Sequence, residues 1–305
     1  MRIDRRVRRG FAAGMLAVLA VLAFAGCGAG SSTGGGNSNV TLKIASKKDA
    51  DGQLLGSMYA LLLKKKGFNV TTQIPLGDTN TVESAIKNGQ IDIFPEFTGT
   101  ALFLLNQKPT GTPQGDYQAV KSAYESQFHI TWLDPAYGLN DSYSLCTSQA
   151  VATKYNLHSI DDVTANASKL VLTAQQDALD PVVKPLETAY NLHFKDIKYL
   201  DESLSFDAVN KGTADVNICY STDPSIVTEN FVVLTDTKNA FPNYNPAPIV
   251  RDAILNANPS IADALNPLAT HLTTDKIVQL IKKVSIDKQD PGAVAQAFLQ
   301  SEGLL

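Results

Sequence analysis

The chain has 305 residues, 44% of them hydrophobic, enough to bury a sizeable core and long enough for two lobes. Its formal net charge is −4, but the first nine residues hold Arg2, Arg5, Arg6, Arg8 and Arg9 against Asp4 alone, so 26 basic and 30 acidic groups fall to 21 and 29 beyond them. A body this acidic is repelled by nucleic acid and by anionic membrane surfaces, so the partners it points to are proteins and small molecules.

The arginines lead into an apolar run from Gly10 to Gly26, the charged-then-apolar layout of a secretory signal. The run is about the minimum length for crossing a membrane, and its end, Phe24-Ala25-Gly26-Cys27, is similar to a bacterial lipobox, with Phe24 where Leu is more usual. Residues 1–26 therefore read as a lipoprotein signal peptide and Cys27 as the acylated new N-terminus. Residues 27–39 read as its tether, since Gly28 to Asn39 is almost entirely Gly, Ser, Thr and Asn and cannot bury apolar surface. The expected location is extracytoplasmic, held to the cell membrane by the lipidated Cys27 alone. Cys146 and Cys219 remain, each inside an apolar strand-like run. In an oxidising compartment they form an even pair, which leaves open a disulfide or two buried thiols.

From Val40 onward strand and helix signals alternate. Val40 to Ala45 alternates as a strand; Leu54, Leu55, Met58, Leu61 and Leu62 recur at helical spacing, and Lys64-Lys65-Lys66-Gly67 suits a helix end. Phe68 to Thr72 reads as the next strand, Val82, Ala85 and Ile86 as the inner face of a helix ending at Asn88-Gly89, and Ile91 to Phe94 as a third strand. A second unit begins near Tyr143, with strands over Tyr143 to Cys146, Lys169 to Thr173, Val216 to Tyr220 and Phe231 to Leu234. After the turn-rich Pro242-Asn243-Tyr244-Asn245-Pro246, a strand resumes at Ala247 to Val250. The tail is helical: Ile277, Leu280, Ile281 and Val284 share one face, and Asp290-Pro291 reads as an N-cap with Pro at the first helical position. The pattern predicts an α/β protein with mostly parallel sheets.

No catalytic constellation accompanies it. His129, His158, His193 and His271 are scattered singly without metal-site spacing, and there is no nucleophile elbow, dinucleotide-binding turn or phosphate loop. Carboxylate pairs such as Asp161-Asp162 and Asp201-Glu202 fall where helices start, and capping accounts for them. The chain therefore reads as a non-enzyme that needs no metal or cofactor.

Several short stretches carry positive information: Ile44-Ala45-Ser46-Lys47-Lys48 with Leu54 to Ala60 behind it, Asn88 to Thr100 with its Pro95-Glu96-Phe97-Thr98-Gly99-Thr100 element, Asn140 to Leu145, Ala214 to Asp223, Phe241 to Pro248, and the Glu302-Gly303-Leu304-Leu305 ending. Together, from about Val40 to Leu305, they resemble the substrate-binding proteins of osmoprotectant ABC importers, the ProX-like family that carries glycine betaine, choline and carnitine. The resemblance implies a two-lobed periplasmic-binding-protein fold (type II). Each lobe would be a mostly parallel sheet flanked by helices, joined by two crossing hinge strands, with lobe 1 built from 40–140 plus 245–305 and lobe 2 from 141–244. It implies a monomer that delivers a small organic solute to a permease and ATPase, and a cleft in which a trimethylammonium head sits among aromatic rings.

Carried over by motif, the box falls on Phe97, Tyr143, Tyr220 and Tyr244, with Lys47 and Thr100 toward the ligand's polar end. Taken singly, a tyrosine at a strand end is ordinary half-buried packing and a lysine a solvated surface group; four aromatics at four motif positions point to a cage. Two departures bear on the cargo. Phe97 stands where the family usually has Tyr, and Gln175 to Pro181 stands where it commonly has an Arg followed by Asp-Gly, with Leu179 in place of the Arg. Losing that guanidinium disfavours a carboxylate-bearing ligand, so choline, another cation, or an uncharged or polyhydroxylated aromatic compound stacking on the rings becomes the alternative cargo.

Overall fold

A computed structural model describes residues 40–305; the expected signal peptide, Cys27 and the tether lie outside these described residues. The first strand, β1 (Thr41–Lys47), alternates exposed and buried as far as Ile44 and is then buried on both faces to its end. In α1 (Ala50–Lys65), the Asp49 carboxylate caps the N-terminus by accepting the Gly52 amide at 2.9 Å, and Lys64 and Lys65 complement the dipole in the last turn. Gly67, at φ +95°, then turns the chain in a conformation that side chains disfavour. The lobe continues through β2 (Asn69–Gly77), α2 (Thr79–Lys87), β3 (Ile93–Phe97), α3 (Thr98–Leu104), α4 (Pro113–Phe128) and β4 (Ile130–Trp132).

The chain then crosses to a second sheet and runs through β5 (Tyr143–Ser148), α5 (Gln149–Tyr155), α6 (Ile160–Thr164), β6 (Val171–Ala174), a five-residue π-helical turn (Leu179–Val183), α7 (Lys184–Tyr190), β7 (Asp196–Tyr199), α8 (Glu202–Asn210), β8 (Val216–Tyr220), α9 (Ser225–Thr228) and β9 (Phe231–Leu234). It crosses back into β10 (Pro246–Arg251) and finishes as α10 (Asp252–Ala257), α11 (Ser260–Leu265), α12 (Thr274–Ser285) and α13 (Pro291–Ser301).

The two sheets have one design. Their strand orders are β2-β1-β3-β10-β4 and β7-β6-β8-β5-β9. In each, one strand, β10 or β5, lies antiparallel to both neighbours while the others run parallel. That strand is in both cases the first after a crossing, so the reversal belongs to the connection between lobes. The fold is a two-lobed α/β architecture. Each sheet is thus mixed, with two parallel and two antiparallel pairings where the sequence pattern predicts mostly parallel sheets, because the strand entering from the other lobe runs against its neighbours; each is covered on both faces. In lobe 1, Leu42 and Ile44 pack with Leu54, Leu55 and Met58 of α1 and with Ile277 of α12, while Phe94 packs with Ile86, Tyr124 and Trp132 on the opposite face. In lobe 2, Leu145, Leu172 and Val216 share a core with Leu186 and Tyr190, and Phe206 and Phe231 cover the other face.

Two boundaries differ from the sequence pattern. The third strand begins at Ile93 rather than Ile91 and continues through Pro95 to Phe97, because β10 pairs with it from Val250↔Ile93 to Pro246↔Phe97. Pro95 lies opposite Pro248, so the two residues without an N–H fall on the same rung. The second strand runs past Thr72 to Gly77. Cys146 and Cys219 are joined by a disulfide between the neighbouring strands β5 and β8, with their Cα atoms 6.0 Å apart, a separation a disulfide spans without backbone movement.

Candidate functional site

The two crossings lie against each other and build the site. The Asp141 amide donates to the Tyr244 carbonyl at 3.0 Å, the Tyr244 amide donates to Asn140 Oδ1 at 2.8 Å, and Ser142 Oγ donates to the Pro242 carbonyl at 3.0 Å. Asn245 Nδ2 donates to the Leu139 carbonyl at 2.8 Å. These bonds hold Tyr143, the first residue of β5, next to Tyr244, two residues before β10.

Three of the four expected aromatics form a contiguous set. Tyr143 and Tyr220 are directly opposite each other on β5 and β8, with ring centroids 4.6 Å apart and hydroxyls hydrogen-bonded at 3.0 Å. The Tyr244 ring meets Tyr143 edge-on at 5.3 Å. Tyr143 packs against the cores of both lobes, so the set straddles the junction between them. Phe97, at the end of β3, is buried in the same apolar cluster as Tyr244. The link between them is Gly99, where a Cβ would come within 2.5 Å of the Tyr244 ring; the Thr98-Gly99-Thr100 turn is what lets that ring lie against the start of α3. Thr100 is half-buried one residue further on.

Lys47, expected at the ligand's polar end, is buried and its ammonium is held by Glu96 Oε1 at 2.5 Å; the same carboxylate oxygen accepts the Phe97 amide at 2.6 Å. The Lys47 ammonium also lies 5.4 Å from the Phe97 ring centroid. Burial would lower its pKa, but Glu96 and Asp49 outweigh that and the net shift is upward. Burial pushes Glu96 up to about 7, with Lys47 opposing and Glu83 adding to the rise.

Acidic groups that the sequence reading did not single out meet at the first crossing, where the Asp141 amide is bonded to the Tyr244 carbonyl. The Asp51 carboxyl, in the first turn of α1, hydrogen-bonds to Asp49 and to Asp141, and Asp141 also accepts from Thr222 Oγ1 of the β8–α9 connection. Burial, then the neighbouring Asp49 and Asp141 charges, raise Asp51 well above the carboxylate range. Asp141 is pushed up to about 7, chiefly by burial. Burial also raises the Tyr244 hydroxyl, with Tyr143, Asp141 and Glu96 adding to it, so this ring stays neutral. Glu96, Asp141 and Thr222 all fall inside the short stretches already singled out, next to the aromatic residues that drew attention.

Leu179, in the position the resemblance gives to an arginine, opens the π-helical turn and packs against the lobe 2 core. A groove of about 500 Å³ between α1, β2 and α13, bordered by Gln53, Lys64, Thr72 and Gln296, shares no residue with the aromatic set. Among the described residues no group of three or more His, Cys, Asp or Glu is arranged to hold a metal ion, and no helix is long and apolar enough to cross a membrane.

A family described as the substrate-binding domain of ABC-type glycine betaine transport systems matches residues 40–301. The chain belongs to that family. Among its relatives, the carnitine transport binding protein OpuCC of Listeria monocytogenes is 30% identical over 87% of this chain and 88% of its own length, and the glycine betaine-binding protein YehZ of Escherichia coli is 28% identical over 86% and 90%. A crystal structure described as a glycine betaine/carnitine/choline ABC transporter superposes with a TM-score of 0.74, at 24% identity over 87% of this chain and 98% of the other. Members of the glycine betaine-binding family are extracytoplasmic transport proteins, not enzymes. They bind a small solute and work with an ABC permease.

Proposed function

We propose that this chain captures a quaternary-ammonium solute in an aromatic cage between its two lobes and delivers it to the permease of an ABC importer. The observation that carries the reading is the contiguous set Tyr143, Tyr220 and Tyr244 at the crossing of the lobes, with Phe97 buried beside it. A quaternary ammonium cannot donate ordinary hydrogen bonds, and the negative faces of aromatic rings are its natural partner, each face contributing roughly 0.5–2 kcal/mol once water is excluded. Tyr143 packs on both cores, so a ligand against it would touch groups from each lobe and favour their closure; Thr100 would meet its polar end. Boundaries near residues 140 and 245 divide the lobes in this reading.

The segment order at the N-terminus, a basic then apolar run, Cys27 and a Gly/Ser-rich tether, supports a lipoprotein anchored by its acylated cysteine. Isothermal titration of the mature protein with glycine betaine, carnitine and choline tests the cage: at least one should bind, and Tyr143→Ala and Tyr220→Ala should each lose that binding while their circular dichroism spectra remain native. Unchanged affinity in both variants overturns it.

A further inference from the structure

Tyr143 and Tyr220 are held in the lobe 2 sheet by the β5–β8 ladder, but Tyr244 lies in the second crossing, outside any strand. Its ring is only as well placed as the backbone on either side of it. Every backbone polar group from the Asn243 carbonyl to the Asn245 carbonyl has a partner. The Tyr244 amide donates to Asn140 Oδ1 at 2.8 Å and the Tyr244 carbonyl accepts the Asp141 amide at 3.0 Å, both partners belonging to the first crossing. The other three groups all go to Thr98 of lobe 1. Its hydroxyl donates to the Asn243 carbonyl at 2.8 Å and accepts the Asn245 amide at 3.1 Å, and its amide donates to the Asn245 carbonyl at 3.1 Å.

The place Thr98 occupies explains why a hydroxyl is needed. β3 and β10 pair as far as Phe97↔Pro246, and in a continued antiparallel ladder the Asn245 amide would find the Thr98 carbonyl on the next rung. Thr98 is also the first residue of α3, so its carbonyl is turned along the helix and the side chain stands in for it. A hydroxyl can donate once and accept at the same time, which is the pair of bonds that flanks Tyr244. Thr98 and Asn245 are both buried, so water does not replace these bonds if they are lost. The next residue, Gly99, leaves the space that the Tyr244 ring fills. Thr98 and Gly99 together form a seat, one fixing the backbone and the other admitting the ring.

We infer that Thr98 is a positioning residue for ligand binding, whose hydroxyl fixes the Tyr244 ring to lobe 1 in the place where it meets the ring pair of lobe 2. The inference rests on the aromatic-cage reading. Thr98 acts through Tyr244 and needs no contact with the ligand. The attraction of a cation to a ring depends on its lying over the ring face, close to the centroid. A crossing released from Thr98 lets the ring shift, and the ring pair of lobe 2 cannot restore the lost face. Thr98 thus does for Tyr244 what the β5–β8 ladder does for Tyr143 and Tyr220.

The test is titration calorimetry of the mature protein with glycine betaine, carnitine and choline, with a circular dichroism spectrum and a melting temperature for each variant. Thr98→Val keeps the branched shape and removes the hydroxyl, whereas Thr98→Ser keeps the hydroxyl and removes the methyl. Thr173→Val is the control, because Thr173 is also buried and its hydroxyl bonds to Asn217 Oδ1 at 3.1 Å within the lobe 2 sheet. For whichever of the three compounds binds the native chain, Thr98→Val should weaken binding by about tenfold or more, and Thr98→Ser should stay within about threefold of native. Thr173→Val should lower the melting temperature and leave affinity within about threefold. Native affinity in Thr98→Val, equal weakening in Thr98→Ser and Thr98→Val, or a matching loss in Thr173→Val overturns the positioning role and leaves the cage standing. Binding of none of the three compounds by the native chain overturns the cage and this role with it. If Thr98→Val fails to fold, Thr98→Ala, which removes the hydroxyl without setting a methyl against the Asn243 carbonyl, is read by the same outcomes.

Discussion

The two lobes share a sheet order and differ in what ties the inner end of the sheet. In lobe 2 the neighbouring strands β5 and β8, which carry Tyr143 and Tyr220, are joined covalently through Cys146 and Cys219, both fully buried. In lobe 1 the corresponding end is tied by the buried Lys47–Glu96 pair linking β1 to β3, beside Phe97. A disulfide stabilises by restricting the unfolded chain and is indifferent to local charge. A buried ion pair is stable only while both partners are present, and it sets the electrostatics of everything near it. One lobe therefore holds Tyr143 and Tyr220 on a covalently fixed frame, and the other holds a buried ion pair beside Phe97.

Breaking the lobe 1 tie should have the largest effect. Lys47→Ala leaves Glu96 buried without its counter-ion and should lower unfolding free energy by about 3–5 kcal/mol, measured by urea denaturation; Glu96→Gln with Lys47→Met together should recover much of that loss. Removing the lobe 2 tie with Cys146→Ala and Cys219→Ala should cost about 2–5 kcal/mol, given the 73-residue separation the bond closes. Reductant should have no further effect on that variant. Equal sensitivity of native and variant protein to reductant would contradict the role of the bond.

Binding is the sharper comparison. Tyr220→Ala removes a ring from the covalently fixed frame and should weaken ligand binding by roughly 30-fold or more, the equivalent of about 2 kcal/mol, with little change in melting temperature. Gly99→Ala probes the other side: its Cβ would press within 2.5 Å of the Tyr244 ring, so it should cost about 1–3 kcal/mol of stability and weaken binding by displacing that ring.

The smallest effect should be on pH dependence. Asp51 and Asp141 have folded-state pKa values raised from 3.8, Asp141 to about 7, with Asp49 and Lys47 facing them. The fold holds protons here that the unfolded chain releases near pH 4. The stability this contributes is present below pH 4 and is lost as the pH rises through about 7. Asp141→Asn should flatten the fall in melting temperature between pH 5 and 8; a native profile no steeper than the variant's would argue against a proton held there.

Much of the fold was legible in the pattern. The strands over Val216 to Tyr220 and Phe231 to Leu234, the α12 face and the Asp290 cap all follow from local periodicity and capping chemistry, which act over a few residues. The start of β3 was misplaced because Ile91 and Asp92 have strand-like alternation, while the true limits follow from pairing with β10, more than 140 residues away. The aromatic candidates came from motifs, and the structure brings Tyr143, Tyr220 and Tyr244 together with Phe97 buried in the same cluster as Tyr244. Lys47 was recognisable as a candidate, but not its commitment to Glu96.

By itself, then, the sequence determined the α/β class, the alternation of elements and the residue types available to a cage, because these depend on side-chain period and local backbone preference. Only the tertiary structure decided which charges meet. The joining of Cys146 to Cys219, the burial of Lys47 against Glu96, and the meeting of Asp51 with Asp141 each unite residues tens of positions apart. Coulomb and desolvation energies depend on distances through space and on exclusion of water, and neither is written in the spacing along the chain.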